Sequence, residues 1–269
     1  MARGSGTSPG RIEAVIFDYG GVLSTPPFLG VSEFERDHGY PKGSLLQLIF
    51  GGAPPTGAQR DAIANGDATA AAWALYEGDG DSLPDWHLLE TGKLTLAEFS
   101  DRLVARSESH LGSPLDPGFY SRFLESLRVG VYWPVVHRVR RLRAEGYRTA
   151  ILTNNVAEWA EVWQASIPVE LFDEVIDSSA VGLRKPDEAI FLLTCERLGV
   201  APGAAVFLDD SPGHVAAARS AGLAGIVVTG PTQALADLDA LLKAGAGQPG
   251  GPGVSPSTTG GPGVSPSRS

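Results

Sequence analysis

From Val131 onward the sequence alternates short apolar runs with stretches of helical period, and this limits the fold more than any other feature of the chain. Residues 149–152, 175–176, 205–208 and 225–228 read as strands. Helices are expected over 135–145, 157–165, 188–198, 213–221 and 232–244, three of them closed by Gly146, Gly199 or Gly222. Strands separated by helices pair in parallel, because a parallel pair needs a crossover and the helix supplies it. A further apolar run, Ala14-Val15-Ile16-Phe17, lies far upstream and ends at Asp18, with Gly20 and Gly21 just beyond. It has the length of a strand buried on both faces and completes the sheet. The fold class is therefore α/β, a doubly wound parallel sheet of Rossmann-like form.

Between the first strand and the second the spacing is helical. Val31, Phe34 and His38 recur with helical period, as do Leu45, Leu46, Leu48 and Ile49. Thr95-Leu96-Ala97-Glu98 offers a hydroxyl cap with a glutamate three residues on, opening a helix that carries Phe99, Leu103 and Val104 to about His110. Two more helices are expected, at 70–76 around Trp73 and at 117–127, where Phe119, Tyr120, Phe123, Leu124 and Leu127 share a face. The chain thus divides into core residues 11–27, an inserted helical cap over 28–127, the rest of the core over 128–244, and a Gly/Pro/Ser tail over 245–269. Within that tail the octet starting at Gly250 recurs at Gly260 with one valine per copy, so disorder is expected.

A balance of 21 basic against 31 acidic residues argues against nucleic acid or an anionic membrane as a general partner. A small anionic molecule still fits, provided a metal or a local lysine offsets the field. The one cysteine, Cys195, rules out an internal disulfide framework and a thiolate metal cluster, and its apolar helical setting makes it a core residue. No run has the length of a signal peptide core or a membrane span, so a soluble cytoplasmic protein is expected.

Four segments carry chemistry. Asp18 stands at the carboxyl end of its strand, the edge where open α/β sheets bind ligands, and suits a nucleophile or a metal ligand. Thr153-Asn154-Asn155 ends the next strand with a hydroxyl, amides and helix-start N–H groups that can hold phosphate oxygens. The loop Gly182-Leu183-Arg184-Lys185-Pro186-Asp187 places a lysine to neutralise charge, with Arg184 as a competitor for the role. Asp209 and Asp210 close a third strand, and adjacent carboxylates repel each other unless a cation lies beside them, which makes Mg²⁺ the natural cofactor.

In that order, strand-Asp, strand-Thr-Asn, loop-Lys-Pro and strand-Asp-Asp, the segments resemble the four motifs of the haloacid dehalogenase superfamily of hydrolases. The helical insertion falls where that superfamily carries a cap domain. Phe17-Asp18-Tyr19-Gly20-Gly21-Val22-Leu23 is most similar to the group of the soluble epoxide hydrolase N-terminal phosphatase domain. The resemblance implies Asp18 as a nucleophile forming an aspartyl-phosphate, Lys185 orienting it, and Thr153 with Asn154 binding the phosphoryl group. It also implies Mg²⁺ held by Asp18, the Gly20 carbonyl and Asp210, with Asp209 bound directly or through water.

One position departs from the pattern. Superfamily phosphatases carry a second aspartate two residues after the nucleophile, where this chain has Gly20, so the carbonyl is kept and the acid is lost. General acid–base help contributes about 10²- to 10⁴-fold, and an alkoxide leaving group would miss it most. His38 is a candidate substitute, whereas alternation along the strand turns Tyr19 away from Asp18. The expected function is a Mg²⁺-dependent phosphatase of a small phosphorylated metabolite. Its alternatives are a 2-haloacid dehalogenase, which by resemblance needs no Mg²⁺ and lacks the paired aspartates, and a weakly active or non-catalytic binding protein on the same fold. Phe28, Phe34, Tyr40, Trp73 and Trp86 either line a cap pocket or pack helices.

Overall fold

The computed structural model describes residues 11–26, 30–50, 84–111, 114–115, 119 and 130–246. The expected helix at 70–76, nearly all of that at 117–127, and the tail from 247 lie outside these residues.

Five parallel strands form one sheet in the order β3-β2-β1-β4-β5: β1 Ala14–Phe17, β2 Arg148–Thr153, β3 Glu174–Asp177, β4 Ala205–Asp209 and β5 Ala224–Val227. Every residue of β1 is buried, because it is the central strand and both its faces are covered. Val15 and Phe17 point into one hydrophobic cluster with α5 (Trp133–Ala144) and α10 (Pro231–Ala246), while Ala14 and Ile16 point into a second with α8 (Glu188–Leu198) and α9 (Pro212–Ser220). Helices thus cover both sides, as the alternation requires. The strand order reverses at β1, so the crevice between β1 and β4 is the ligand-binding position of such a sheet.

Helix ends follow local chemistry. Pro134 and Pro212 occupy the first turns of α5 and α9, where a missing N–H is harmless, so both helices start earlier than periodicity alone indicates. Residues 157–165 do not form one α-helix. A 3₁₀ turn, Ala157–Trp159, leads into α6 (Ala160–Gln164). A regular helix would set Trp159 and Trp163 on one face, yet they pack into different clusters. The last helix runs through Ala246, two residues past its expected end at Ala244.

The insertion contributes α1 (Val31–His38), α2 (Ser44–Phe50), α3 (Asp85–Glu90) and α4 (Leu96–Leu111), which share a cluster around Phe50, Trp86 and Phe99 that Val156 and Trp159 join from the core. Thr95 and Glu98 form the expected capping box: the Glu98 N–H donates to Thr95 Oγ1 at 3.2 Å, and the Thr95 N–H to Glu98 Oε2 at 2.9 Å. Phe34 and Trp86 are buried in helix packing. No described helix is long and apolar enough to cross a membrane.

Candidate active site

The sheet register decides which side chains meet. Phe17 pairs with Ile151 on one side and Leu208 on the other, so Asp18 emerges one residue beyond the ladder, level with Leu152 and Asp209 and one residue short of Thr153. Its N–H still bonds the Leu208 carbonyl at 2.9 Å, which extends β1 to the site. Lys185 reaches in from the loop after α7 (Ser178–Val181) and is wholly buried. Its Nζ lies 2.9 Å from Asp18 Oδ1 and 2.7 Å from Asp209 Oδ2.

The four charged groups titrate far from their ordinary values. Burial pushes Asp18 up to about 6 although Lys185 pulls it down, and the charge of Asp209 adds to the rise. Burial acts on Asp209 in the same sense, but Lys185 and His214 outweigh it and hold the group at about 2. Burial, then the charges of Asp209 and Asp18, push Asp210 up to about 9. Burial would lower Lys185, yet the two carboxylates outweigh it and hold its amine above the usual lysine range.

Asp209 and Asp210 are adjacent and differently provided for. The oxygens of Asp209 are both engaged: Oδ1 accepts the Ser211 N–H at 2.8 Å, Oδ2 accepts Lys185, and His214 Nδ1 stands 3.2 Å from each. Asp210 Oδ1 is buried with no hydrogen-bond partner among the described residues. Gly21 makes room for this side chain. Its φ is +75°, and a Cβ built there would stand 2.1 Å from Asp210 Oδ2, so only glycine fits. One oxygen from each of Asp18, Asp209 and Asp210 falls within a span of 4.8 Å. An all-oxygen cluster containing an unpartnered carboxylate oxygen suits a hard cation such as Mg²⁺.

Of the sequence-derived site residues, Asp18, Lys185, Asp209 and Asp210 meet at one point, and Thr153 is buried at the end of the adjoining strand. Gly20 lies in the turn that follows Asp18, bridged to Ser24. Asn154 is differently employed from expectation. Its Oδ1 accepts the Lys185 N–H at 2.8 Å and its Nδ2 donates to the Lys185 carbonyl at 2.9 Å, so its side chain brackets the lysine's backbone. His214 was not among the expected residues, although it is buried against Asp209. The available signal was its place at the start of a helix, five residues after Asp209. Tyr19 points away as expected, its hydroxyl 2.8 Å from Ser166 Oγ and its ring against Trp163. His38 is exposed at the end of α1, stacked on Phe34.

A central parallel strand delivering a carboxylate to a buried lysine and a second pair of carboxylates defines an α/β enzyme whose chemistry sits at the carboxyl edge of its sheet. The family model for haloacid dehalogenase-like hydrolases matches residues 12–222, and the chain belongs to that family. Curated relatives include acyl-CoA dehydrogenase family member 10 of Mus musculus, 29% identical over 85% of this chain and 19% of the relative, and bifunctional epoxide hydrolase 2 of Sus scrofa, 25% identical over 85% and 38%. The chain thus spans well under half the length of either. A phosphoglycolate phosphatase of Nitrosospira multiformis is 29% identical over 58% of this chain and 72% of its own. Among solved structures, a HAD-like hydrolase from Porphyromonas gingivalis superposes with a TM-score of 0.56 at 21% identity, covering 86% of this chain and 98% of that one. L-2-haloacid dehalogenase from Xanthobacter autotrophicus does so at 0.51 and 20%, covering 80% and 76%. A Bacteroides thetaiotaomicron HAD-family enzyme in complex with magnesium and inorganic phosphate gives 0.51 and 18%, covering 83% and 98%.

Proposed function

We propose that the chain is a Mg²⁺-dependent phosphatase of a small phosphorylated molecule, working through an aspartyl-phosphate on Asp18. The reading rests above all on the buried, unpartnered Oδ1 of Asp210 beside two further carboxylates. A dehalogenase working without a cation would gain nothing from burying such a group, whereas a cation would offset its cost. Phosphatases among the relatives, and the magnesium- and phosphate-bound structural neighbour, lend support. The small anionic substrate and a cytoplasmic setting belong to the same proposal.

Lys185 and the Tyr19 N–H both bind Asp18 Oδ1, at 2.9 and 2.7 Å, which fixes the carboxylate and turns Oδ2 toward the substrate. In the first step Oδ2 attacks phosphorus, the bond to the leaving oxygen breaks, and that oxygen departs with the electron pair. In the second, water attacks phosphorus, the bond between phosphorus and Asp18 Oδ2 breaks, the carboxylate is regenerated, and inorganic phosphate leaves carrying the oxygen and protons of the water. Thr153 and the N–H groups of its loop would hold phosphoryl oxygens, while Lys185 balances charge on both carboxylates. Asp18, Asp210 and the Gly20 carbonyl would hold Mg²⁺, with Asp209 acting through water because its own oxygens are engaged by protein groups. When bound, Mg²⁺ supplies charge stabilisation to the equatorial oxygens. With glycine at 20, leaving groups that depart as anions are favoured.

Phosphate release from acyl, p-nitrophenyl and sugar phosphates, with Mg²⁺ and with EDTA, tests the reading. Turnover that requires Mg²⁺ and falls in that order is expected. Absence of any phosphoester turnover with Mg²⁺ would defeat it, and chloride release from 2-chloropropionate in EDTA would establish the dehalogenase instead.

A further inference from the structure

Six residues form a closed circuit that begins in the insertion and passes through the lysine loop. Glu90, the last residue of α3, accepts Arg184 Nε on its Oε2 at 3.0 Å, and both side chains are buried, at 4% and 9% exposure. Arg184 is bonded to Lys185, whose backbone is bracketed by the Asn154 side chain. The next residue, Asn155, donates its N–H to Ser178 Oγ at 2.9 Å. Ser178 Oγ donates in turn to the Glu90 carbonyl at 2.7 Å, which closes the circuit. The other carboxylate oxygen of Glu90 is held by the Trp86 indole N–H at 2.8 Å. Packing is close where the chain leaves α3: at Gly92, φ +66°, an added Cβ would stand 2.9 Å from the Ser179 carbonyl oxygen.

From this circuit we infer that Glu90 is a positioning residue for Lys185. Each end of the lysine loop's support needs Glu90. Its carboxylate fixes the residue before Lys185, and its carbonyl fixes, through Ser178, the residue after Asn154. Two buried carboxylates depend on where the Lys185 ammonium sits, and reacting groups displaced by about 1 Å can lose about 10²-fold in rate. The insertion is on this account part of the frame of the site. The inference rests on Lys185 acting beside Asp18 as proposed above.

An ordinary interface ion pair would hold the insertion in place without bearing on Lys185, and one double variant separates the two roles. Replacing a buried ion pair by apolar residues of similar volume often leaves stability unharmed. Full-length Glu90→Leu/Arg184→Met is therefore expected to unfold near the wild-type midpoint. With p-nitrophenyl phosphate and Mg²⁺, its kcat should fall about 10- to 100-fold while KM changes less than about threefold. Wild-type kcat in a folded double variant would overturn the inference. Should the double variant fail to fold, Glu90→Gln, which keeps an acceptor for Trp86, is expected to lose kcat by a smaller factor, and an unchanged kcat would be equally fatal. The Lys185 ammonium resonance in ¹⁵N-lysine-labelled protein, assigned by its loss in Lys185→Met, gives a readout independent of turnover. A shift in either variant supports positioning, and no shift overturns it. If the wild type hydrolyses no phosphoester, the phosphatase reading fails by itself and the resonance still decides the role of Glu90.

Discussion

Asp209 and Asp210 leave the same strand, one residue apart, and end in opposite situations. Asp209 is wholly buried, engaged through both oxygens, and held down at about 2. Asp210 has a buried oxygen without a partner and is pushed up to about 9. The protein thus completes one half of its site with its own lysine, histidine and a backbone N–H, and on the proposed reading Mg²⁺ would complete the other. The finished half should govern folding and catalysis together. The unfinished half should matter to the metal-free protein only as a burden.

The largest effect expected lies where the halves meet. Asp18→Asn removes the nucleophile and should lower kcat by about 10³-fold or more with the fold intact by circular dichroism. Lys185→Met strikes the finished half, leaving two buried carboxylates uncompensated. It should lower kcat by about 10²- to 10³-fold and unfolding free energy by about 3–5 kcal/mol, read from urea titration.

Asp210→Asn should reverse that stability effect. A carboxyl raised from 3.8 to about 9 is neutral in both folded and unfolded chains at low pH. As pH rises from about 4 to about 9, the unfolded chain releases the proton and the folded chain keeps it, so metal-free stability falls across that window. Asp18, raised to about 6, adds to the fall over its lower part, whereas Asp209, lowered to about 2, costs stability only as pH drops below 3.8. In EDTA, Asp210→Asn should therefore raise the urea midpoint at pH 8 more than at pH 5, while weakening Mg²⁺ binding by more than about tenfold in calorimetry. A lower midpoint at pH 8 would collapse the distinction between the two aspartates. The smallest effect concerns Gly20→Asp, expected to raise kcat about tenfold for sugar phosphates and to leave p-nitrophenyl phosphate within about twofold.

What could be read without coordinates was what local pattern determines. The four-residue apolar run ending at Asp18 has one reasonable form as a central strand, and helix Glu188–Leu198 was expected at its observed bounds, with Gly199 marking its end. Contacts between distant segments were harder to read. Asn154 is read as a phosphate ligand from its strand-end position, and that position does not reveal that its side chain also holds a backbone 31 residues away. His214 read as an ordinary helix residue because its target lies across the helix N-terminus. The partner of Arg184 is 94 residues distant, in a helix that only tertiary packing sets against the loop. Gly20 was singled out for the acid it lacks, whereas the close approach of Asp210 to Gly21 was not legible.

The central place of β1 also has a consequence in time. It is the first strand to be synthesised, yet its neighbours are residues 148–151 on one side and 205–208 on the other. At about 5–20 residues per second, Ala14–Phe17 waits roughly 10–40 s for its second partner to be made. Until 148–151 are made this apolar strand has two unpaired edges, and until 205–208 are made it still has one, open to wrong partners. The strand that leads to the proposed nucleophile therefore depends on protection during synthesis, and slowing translation between 153 and 205 should increase aggregation of the nascent chain.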